Sequence, residues 1–190
     1  MSWEIYYKKF YNKPPSPLLK IALTNNFYKN GVAYDVGCGT GSDTRFLLTK
    51  KWNVLAIDRE DMAMVTLKKD LSKFKGLNCL KEDFTKLVFQ SSELIHGTYS
   101  FGFAGEEGFD LLWQKMVESL KTGGTLSGEL FGDQDDWKNS TRVKTIGHLE
   151  LTKLIKGFDI MYFDEEHFHR PTALGDVKKW HVYSLVLKKR

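Results

Sequence analysis

The segment Val32-Ala33-Tyr34-Asp35-Val36-Gly37-Cys38-Gly39-Thr40-Gly41-Ser42 constrains the fold more tightly than any other part of the chain. A short, mostly apolar run without polar alternation reads as a strand covered on both faces, as in a parallel sheet. It runs into glycines at alternate positions, and residues 42–51 then suit a helix. Glycines at such a turn let a ligand approach the backbone with no side chain in the way. In open α/β sheets ligands bind there, outside the carboxyl ends of the strands where strand order reverses.

The spacing and charge of the loop narrow the ligand. A dinucleotide fingerprint requires glycine at position 42, where this chain has Ser42. A pyrophosphate seated on a helix N-terminus needs donors and no competing anion. Here Asp35 and Asp43 flank the loop, no Lys or Arg appears before Arg45, and there is no P-loop lysine. An acidic bend suits a ligand carrying sulfonium and ammonium groups, a description that S-adenosylmethionine meets.

Elsewhere the pattern alternates between strand and helix. Residues 16–29 read as a helix with Ser16 as its cap, 53–58 as a second buried strand and 60–75 as a helix. Strands follow at 77–80 and 93–98. Residues 106–121 form the clearest amphipathic helix, with Phe109, Leu112, Trp113, Met116, Val117 and Leu120 at helical spacing and Gly123-Gly124 as its stop. Residues 125–131 read as strand five and 148–156 as a weak helix. Residues 158–163 and 180–187 close the chain as an antiparallel pair. The expectation is one α/β domain over residues 1–190: a Rossmann-like, seven-stranded, mainly parallel sheet with helices on both faces. Residues 1–15, with Trp3, Tyr6, Tyr7, Phe10 and Tyr11 ahead of Pro14, Pro15 and Pro17, are not expected to form a regular unit; residues 1–30 comprise this segment and the helix after it. They read as a segment capping the site, and Trp3, Tyr6, Tyr7 and Tyr11 as rings for a lid over a cation.

Composition sets the remaining bounds. Hydrophobic residues at 42% suffice for a core. No stretch is long and apolar enough for a membrane span or a signal peptide, and Cys38 and Cys79 make no disulfide framework, so a cytoplasmic setting is expected. The net charge of +4 is carried partly by Lys68, Lys69, Lys73 and Lys75, and by Lys178, Lys179 and 188–190, read as a solvated helix face and a tail. No nucleic-acid or membrane partner is expected, and the oligomeric state stays open. His167, His169 and His181 read as loop and strand residues without a metal-ligand spacing, so no metal is expected.

Residues 32–41 resemble the first motif of class I S-adenosylmethionine-dependent methyltransferases. Ile57-Asp58 resembles that family's acid at the end of strand two, and Lys81-Glu82-Asp83-Phe84 its acidic-aromatic pair after strand three. Among subgroups the chain is most similar to small bacterial methyltransferases of the tellurite-resistance type. The resemblance implies S-adenosyl-L-methionine as cofactor, S-adenosyl-L-homocysteine as product, and a small-molecule acceptor. It implies that Asp58 accepts from the ribose hydroxyls and Asp83 from the adenine amino group, with Phe84 against the ring. Gly37, Cys38, Gly39 and Gly41 would lie along the methionine half, Asp35 would tune the loop electrostatically, and the backbone at Gly97 and Thr98 would meet the ammonium.

Candidates for acceptor chemistry follow strands four and five. They are His96 as a base, Tyr99 with Ser100 and Phe101 as pocket wall, and Glu129 with Asp133. A nucleic-acid methyltransferase is the main alternative, motivated by the charge. The stretch Ile95-His96-Gly97-Thr98-Tyr99-Ser100-Phe101 lacks the Asn/Asp-Pro-Pro-aromatic motif such enzymes use on exocyclic amines. A protein that binds the cofactor without turnover is the non-enzymatic alternative.

Overall fold

The computed structural model describes Tyr7, Lys9, Tyr11 and residues 13–172 and 175–190. Trp3, Tyr6 and Phe10 lie outside the described residues. The elements are α1 (Pro17–Asn25), β1 (Val32–Val36), α2 (Ser42–Thr49), β2 (Asn53–Asp58), α3 (Asp61–Leu71), β3 (Leu77–Lys81), β4 (Ser92–Gly97), α4 (Gly105–Ser119), β5 (Leu120–Gly132), β6 (Thr145–Ile146), α5 (His148–Leu154), β7 (Phe158–Pro171) and β8 (Val177–Lys189). Single 3₁₀ turns at Phe101–Ala104 and Asp136–Asn139 link β4 to α4 and follow β5.

The sheet runs β3-β2-β1-β4-β5-β8-β7, and the two-residue β6 pairs with the end of β5. β1 to β5 are parallel, whereas β8 is antiparallel to β5 and to β7. This is the expected Rossmann-like sheet with an antiparallel close. Strand order reverses between β1 and β4, which opens a crevice at their carboxyl ends. One core layer packs Leu19, Ala22, Leu47 and Leu67 of α1 to α3 against Ala33, Val54 and Leu94. The other packs Phe109, Leu112 and Met116 of α4 against Tyr34, Ile95 and Leu126. Both faces of β1 and β4 are therefore covered, which is why their sequences do not alternate.

Four details differ from the sequence reading. Tyr7 and Lys9 are helical, so part of the N-terminal segment is regular. Ser16 does not cap α1 with its hydroxyl; its backbone N–H donates to Asp43 Oδ1 at 2.6 Å instead. Gly123-Gly124 does not stop the long helix. α4 ends at Ser119 and Leu120 turns directly into β5, while Lys189 Nζ donates to the carbonyls of Val117 and Leu120, each at 2.6 Å. A lysine satisfying helix C-terminal carbonyls ends the helix as a glycine would, and Lys189 is accordingly not part of a loose tail. Lys178 is not solvated either: it is 6% exposed and paired with Asp135.

β7 and β8 extend much further than 158–163 and 180–187. Their pairing continues from Glu166↔Val182 to Pro171↔Val177, beyond the last β8–β5 pair at Phe131↔Val182. The overhanging two-stranded ribbon leans over the end of β5 and supplies one wall of the crevice. No described helix is long and apolar enough to cross a membrane.

Candidate functional site

The crevice holds a cavity of about 340 Å³. Gly37, Cys38, Gly39, Asp58 and Phe84 line one end, Thr98 and Tyr99 its middle, and Phe131, Trp137, Phe168 and Trp180 the far end. The loop after β1 is shaped for close approach. Gly37 has φ 73°, and a Cβ there would lie 2.5 Å from the Ser100 Cβ. Ser100 in turn donates its hydroxyl to the Val36 carbonyl at 2.5 Å, tying the loop after β4 to the loop after β1.

Asp58 ends β2 and is 7% exposed. Oδ2 accepts from the Gly39 N–H at 2.9 Å; Oδ1 accepts from the Glu60 N–H and the Tyr7 hydroxyl, each at 3.1 Å. Tyr7 is 4% exposed and packs its ring over Gly39. Burial and the Asp58 charge push the Tyr7 phenol far above its ordinary range, so it stays a donor. The Tyr11 hydroxyl donates to Asp70 on α3, which places Tyr11 beside the cavity and not over it.

A buried acidic network underlies the middle of the cavity. Asp43 lines the wall; its Oδ2 accepts from the Thr98 hydroxyl at 3.0 Å and lies 3.4 Å from His96 Nε2. Burial pushes the Asp43 carboxyl up, but the hydrogen bond and charge of His96 prevail and hold it below its usual range. Asp35 is buried behind the wall and accepts from the Thr44 hydroxyl at 2.5 Å. Burial first, and the Asp43 charge second, raise its carboxyl to about 7. At neutral pH the lasting negative charge facing the cavity here is therefore that of Asp43.

Several sequence candidates occupy other positions. His96 is fully buried, with Nδ1 2.8 Å from Ser127 Oγ and Nε2 3.1 Å from Thr98 Oγ1. Both nitrogens are thus engaged, and it orients Asp43 and Thr98 without reaching the cavity wall. Glu129 is also buried and accepts from the Tyr99 N–H at 3.0 Å. Through that bond it holds Tyr99, a cavity residue at φ 51°, in a backbone region that side chains rarely adopt and that concentrates at functional sites. Asp83 does not line the cavity. Its Oδ1 accepts from the N–H and hydroxyl of Thr85 at 3.0 and 2.7 Å, closing a turn that presents Phe84 to the wall. Gly97 is likewise outside the wall: a Cβ there would lie within 2.6 Å of Ser100 Oγ and Phe101 Cε1, so its bareness makes room for those side chains. Gly41 packs against Leu67 and Leu71 and sits behind the loop. Asp133 also stands apart from the wall, beside His181.

His167 and His181 pair across β7 and β8 on the opposite face of the ribbon from Phe168 and Trp180, with ring centroids 4.1 Å apart. The Gln134 N–H donates to His181 Nδ1 at 3.1 Å, which leaves the proton on Nε2, 2.9 Å from Glu165 Oε1. Both nitrogens of His181 thus have protein partners. His169 is exposed.

Apart from Tyr99, the aromatic end had no counterpart in the sequence reading. Trp137 follows β5 on a 3₁₀ turn, while Phe168 and Trp180 face one another across the ribbon at 6.0 Å between centroids. Trp137 lies 5.1 Å from Phe131 and 5.3 Å from Trp180, and Tyr99 lies 6.0 Å from Trp180. Lys13 and Arg170 are exposed at the cavity wall, and neither forms an ion pair among the described residues.

Residues 33–124 match the model of a family described as a methyltransferase domain. No curated protein matches the sequence. Among solved structures, TehB from Haemophilus influenzae is similar at 19% identity and TM-score 0.79, covering 99% of this chain and 67% of that one. The N-methyltransferase NodS from Bradyrhizobium japonicum WM9, in complex with S-adenosyl-L-homocysteine, is similar at 14% identity and TM-score 0.70, covering 100% and 99%. The 1,6-didemethyltoxoflavin-N1-methyltransferase of Burkholderia thailandensis, with bound 1,6-didemethyltoxoflavin and S-adenosylhomocysteine, is similar at 14% and 0.66, covering 98% and 88%. At these identities the likeness is one of fold.

Proposed function

We propose that this chain, whose residues 33–124 match a methyltransferase-domain family, is a class I S-adenosylmethionine-dependent methyltransferase that transfers a methyl group from S-adenosylmethionine to a small-molecule acceptor. The observation that carries this reading is Asp58. Its carboxylate stands at the cavity wall beside Phe84, oriented by the Gly39 N–H and already accepting a hydroxyl, that of Tyr7. A vicinal ribose diol offers the same donors to the same oxygens, and hydrogen bonds to a carboxylate are among the stronger ones.

The rest of the donor set fits the same ligand. Phe84 supplies an apolar face for adenine, and the bare Gly37 and Gly39 admit the methionine chain. Asp43 supplies the charge that attracts an ammonium or sulfonium. A diphosphate would meet Asp43, Asp58 and Glu60 in the same space, with Arg59 turned to Glu60 at 3.5 Å. The cofactor supplies a methyl group on a good leaving group. The protein's task is to align the acceptor, exclude water and hold the sulfonium side by charge. Tyr99, fixed by Glu129, lies between the two ends of the cavity and would set that alignment.

The Tyr7 hydroxyl would have to leave Asp58 before a ribose could take both oxygens, since Oδ1 already holds two donors. Tyr7 thus covers this carboxylate and would leave it when the cofactor binds. Calorimetry with S-adenosylhomocysteine, NAD and ATP in parallel tests the reading. Binding of the first alone, on the order of micromolar, is expected; methyl-transfer cofactors work in the concentration range of ordinary enzyme substrates. Binding of NAD or ATP in its place would overturn it.

A further inference from the structure

We propose that the acceptor is a flat, conjugated molecule bearing an anionic group. Its ring system would lie among Trp137, Trp180 and Phe131, and its charge would face Arg170. This rests on the methyl-transfer reading and adds to it the acceptor's class.

Shape comes first. The far end of the cavity is walled by six rings, Tyr99, Phe103, Phe131, Trp137, Phe168 and Trp180, drawn from four separate stretches of chain. Ring contacts between neighbours run from 5.1 to 6.2 Å, the range in which aromatic pairs interlock. The Trp180 indole is fixed further by its N–H, which donates to the Arg170 carbonyl at 2.9 Å. Walls of ring faces and edges favour an aromatic occupant, each favourable ring pair adding about 0.5–1.5 kcal/mol beyond area burial.

Charge comes second. Lined aromatic pockets often take cations, because the faces of the rings are electron-rich. Here a cation is already in place. Lys178 Nζ lies 4.0 Å from the ring centroids of both Trp137 and Trp180 and 5.7 Å from that of Phe131. Lys178 is itself buried against Asp135 and lies outside the cavity wall. The rings are therefore polarised toward Lys178, and a second cation on their cavity side gains little. The free charge at this end is positive: the Arg170 guanidinium, stacked 4.9 Å from the Phe168 centroid. Of the acids of the wall, Asp58 and Glu60 belong to the other end and Asp43 to the middle beside Thr98. An anionic acceptor would thus bind with its charge away from Asp43 and its nucleophilic atom toward the cofactor. In the transfer the acceptor lone pair forms the new bond to carbon. The old carbon–sulfur pair stays on sulfur as a thioether, and an acceptor N–H or O–H releases its proton to water.

Saturation-transfer NMR on the full chain, saturated with S-adenosylhomocysteine, tests this with matched pairs. The probes are 2-naphthoate against 2-naphthamide, indole-3-carboxylate against its carboxamide, and cyclohexanecarboxylate as the non-aromatic anion. Each aryl carboxylate should bind about tenfold more tightly than its amide, and more tightly than cyclohexanecarboxylate. Arg170→Gln should remove most of the preference for carboxylate, and Trp180→Leu the preference for the aromatic ring. Equal binding of carboxylates and amides, or of cyclohexanecarboxylate and naphthoate, would overturn the acceptor class alone. Failure of S-adenosylhomocysteine to bind the wild-type chain would instead overturn the methyl-transfer reading beneath it.

Discussion

Tyr7→Phe should make the chain bind S-adenosylhomocysteine more tightly, and its size follows from the geometry at Asp58. The Tyr7 hydroxyl donates to Asp58 Oδ1 at 3.1 Å, within a site where both partners are almost completely buried. A hydrogen bond to a charged group contributes about 1.5–3 kcal/mol. If the ribose displaces that hydroxyl, the bond stabilises only the unliganded chain and opposes binding by the same amount. Removing it should improve affinity by about tenfold to a hundredfold, since about 1.4 kcal/mol is a factor of ten. The phenyl ring still packs over Gly39, so the change isolates the hydroxyl. Calorimetric titration of wild type and Tyr7→Phe, each also in an Asp58→Asn background, gives the coupling directly. The gain should vanish when Asp58 is Asn. Unchanged or weaker binding by Tyr7→Phe would refute the argument, because it would mean that the hydroxyl does not compete for the ribose position.

Asp58→Ala should weaken S-adenosylhomocysteine binding by at least a hundredfold in the same titration, two charge-assisted hydrogen bonds being lost at about 1.5–3 kcal/mol each. Gly37→Ala places a methyl group 2.5 Å from the Ser100 Cβ at φ 73°; thermal unfolding should show a clear loss of stability, and titration a loss of binding. Asp35 carries a pKa raised to about 7 by burial and by Asp43. A carboxyl raised in the folded state contributes stability that is full below about pH 4 and is lost as pH rises toward 7. Asp35→Asn should therefore gain stability relative to wild type between pH 4 and 7, read as the difference in unfolding midpoint across that range. Removing Asp135 from the buried Lys178 pair should destabilise by about 3–5 kcal/mol, as expected for an uncompensated buried charge, and denaturant unfolding of Asp135→Ala measures it.

What was legible in the sequence is what lies close together along it. β1, its glycine loop and α2 form one contiguous unit, and the absence of polar alternation in β1 and β4 reports directly that both faces are covered. The position of Asp58 was legible because β2 ends on it. Asp83 was expected at the adenine, yet an aspartate followed by Phe-Thr serves equally well to close a turn, and here its oxygen accepts from Thr85. Gly97 was expected at the ligand, yet a bare position can serve packing as well, and Ser100 with Phe101 fills the space beside it.

The aromatic end was invisible for a different reason. Trp137 sits on a single 3₁₀ turn, and Phe168 and Trp180 belong to an overhanging ribbon in which the residues flanking Phe168, Glu165, Glu166, His167 and His169, are polar and carry no hydrophobic period. Only the register of β7 against β8 brings Phe168 opposite Trp180. Lys178 likewise looked like part of a basic cluster because nothing local announces Asp135 or the two indoles around it.

A crystal structure of the chain grown with S-adenosylhomocysteine tests the account most directly. The ribose hydroxyls should rest on both oxygens of Asp58, the adenine against Phe84, and the Tyr7 hydroxyl should have left the carboxylate. A ligand seated elsewhere with the Tyr7–Asp58 bond intact, or a nicotinamide dinucleotide found with its diphosphate against Gly39, would contradict it.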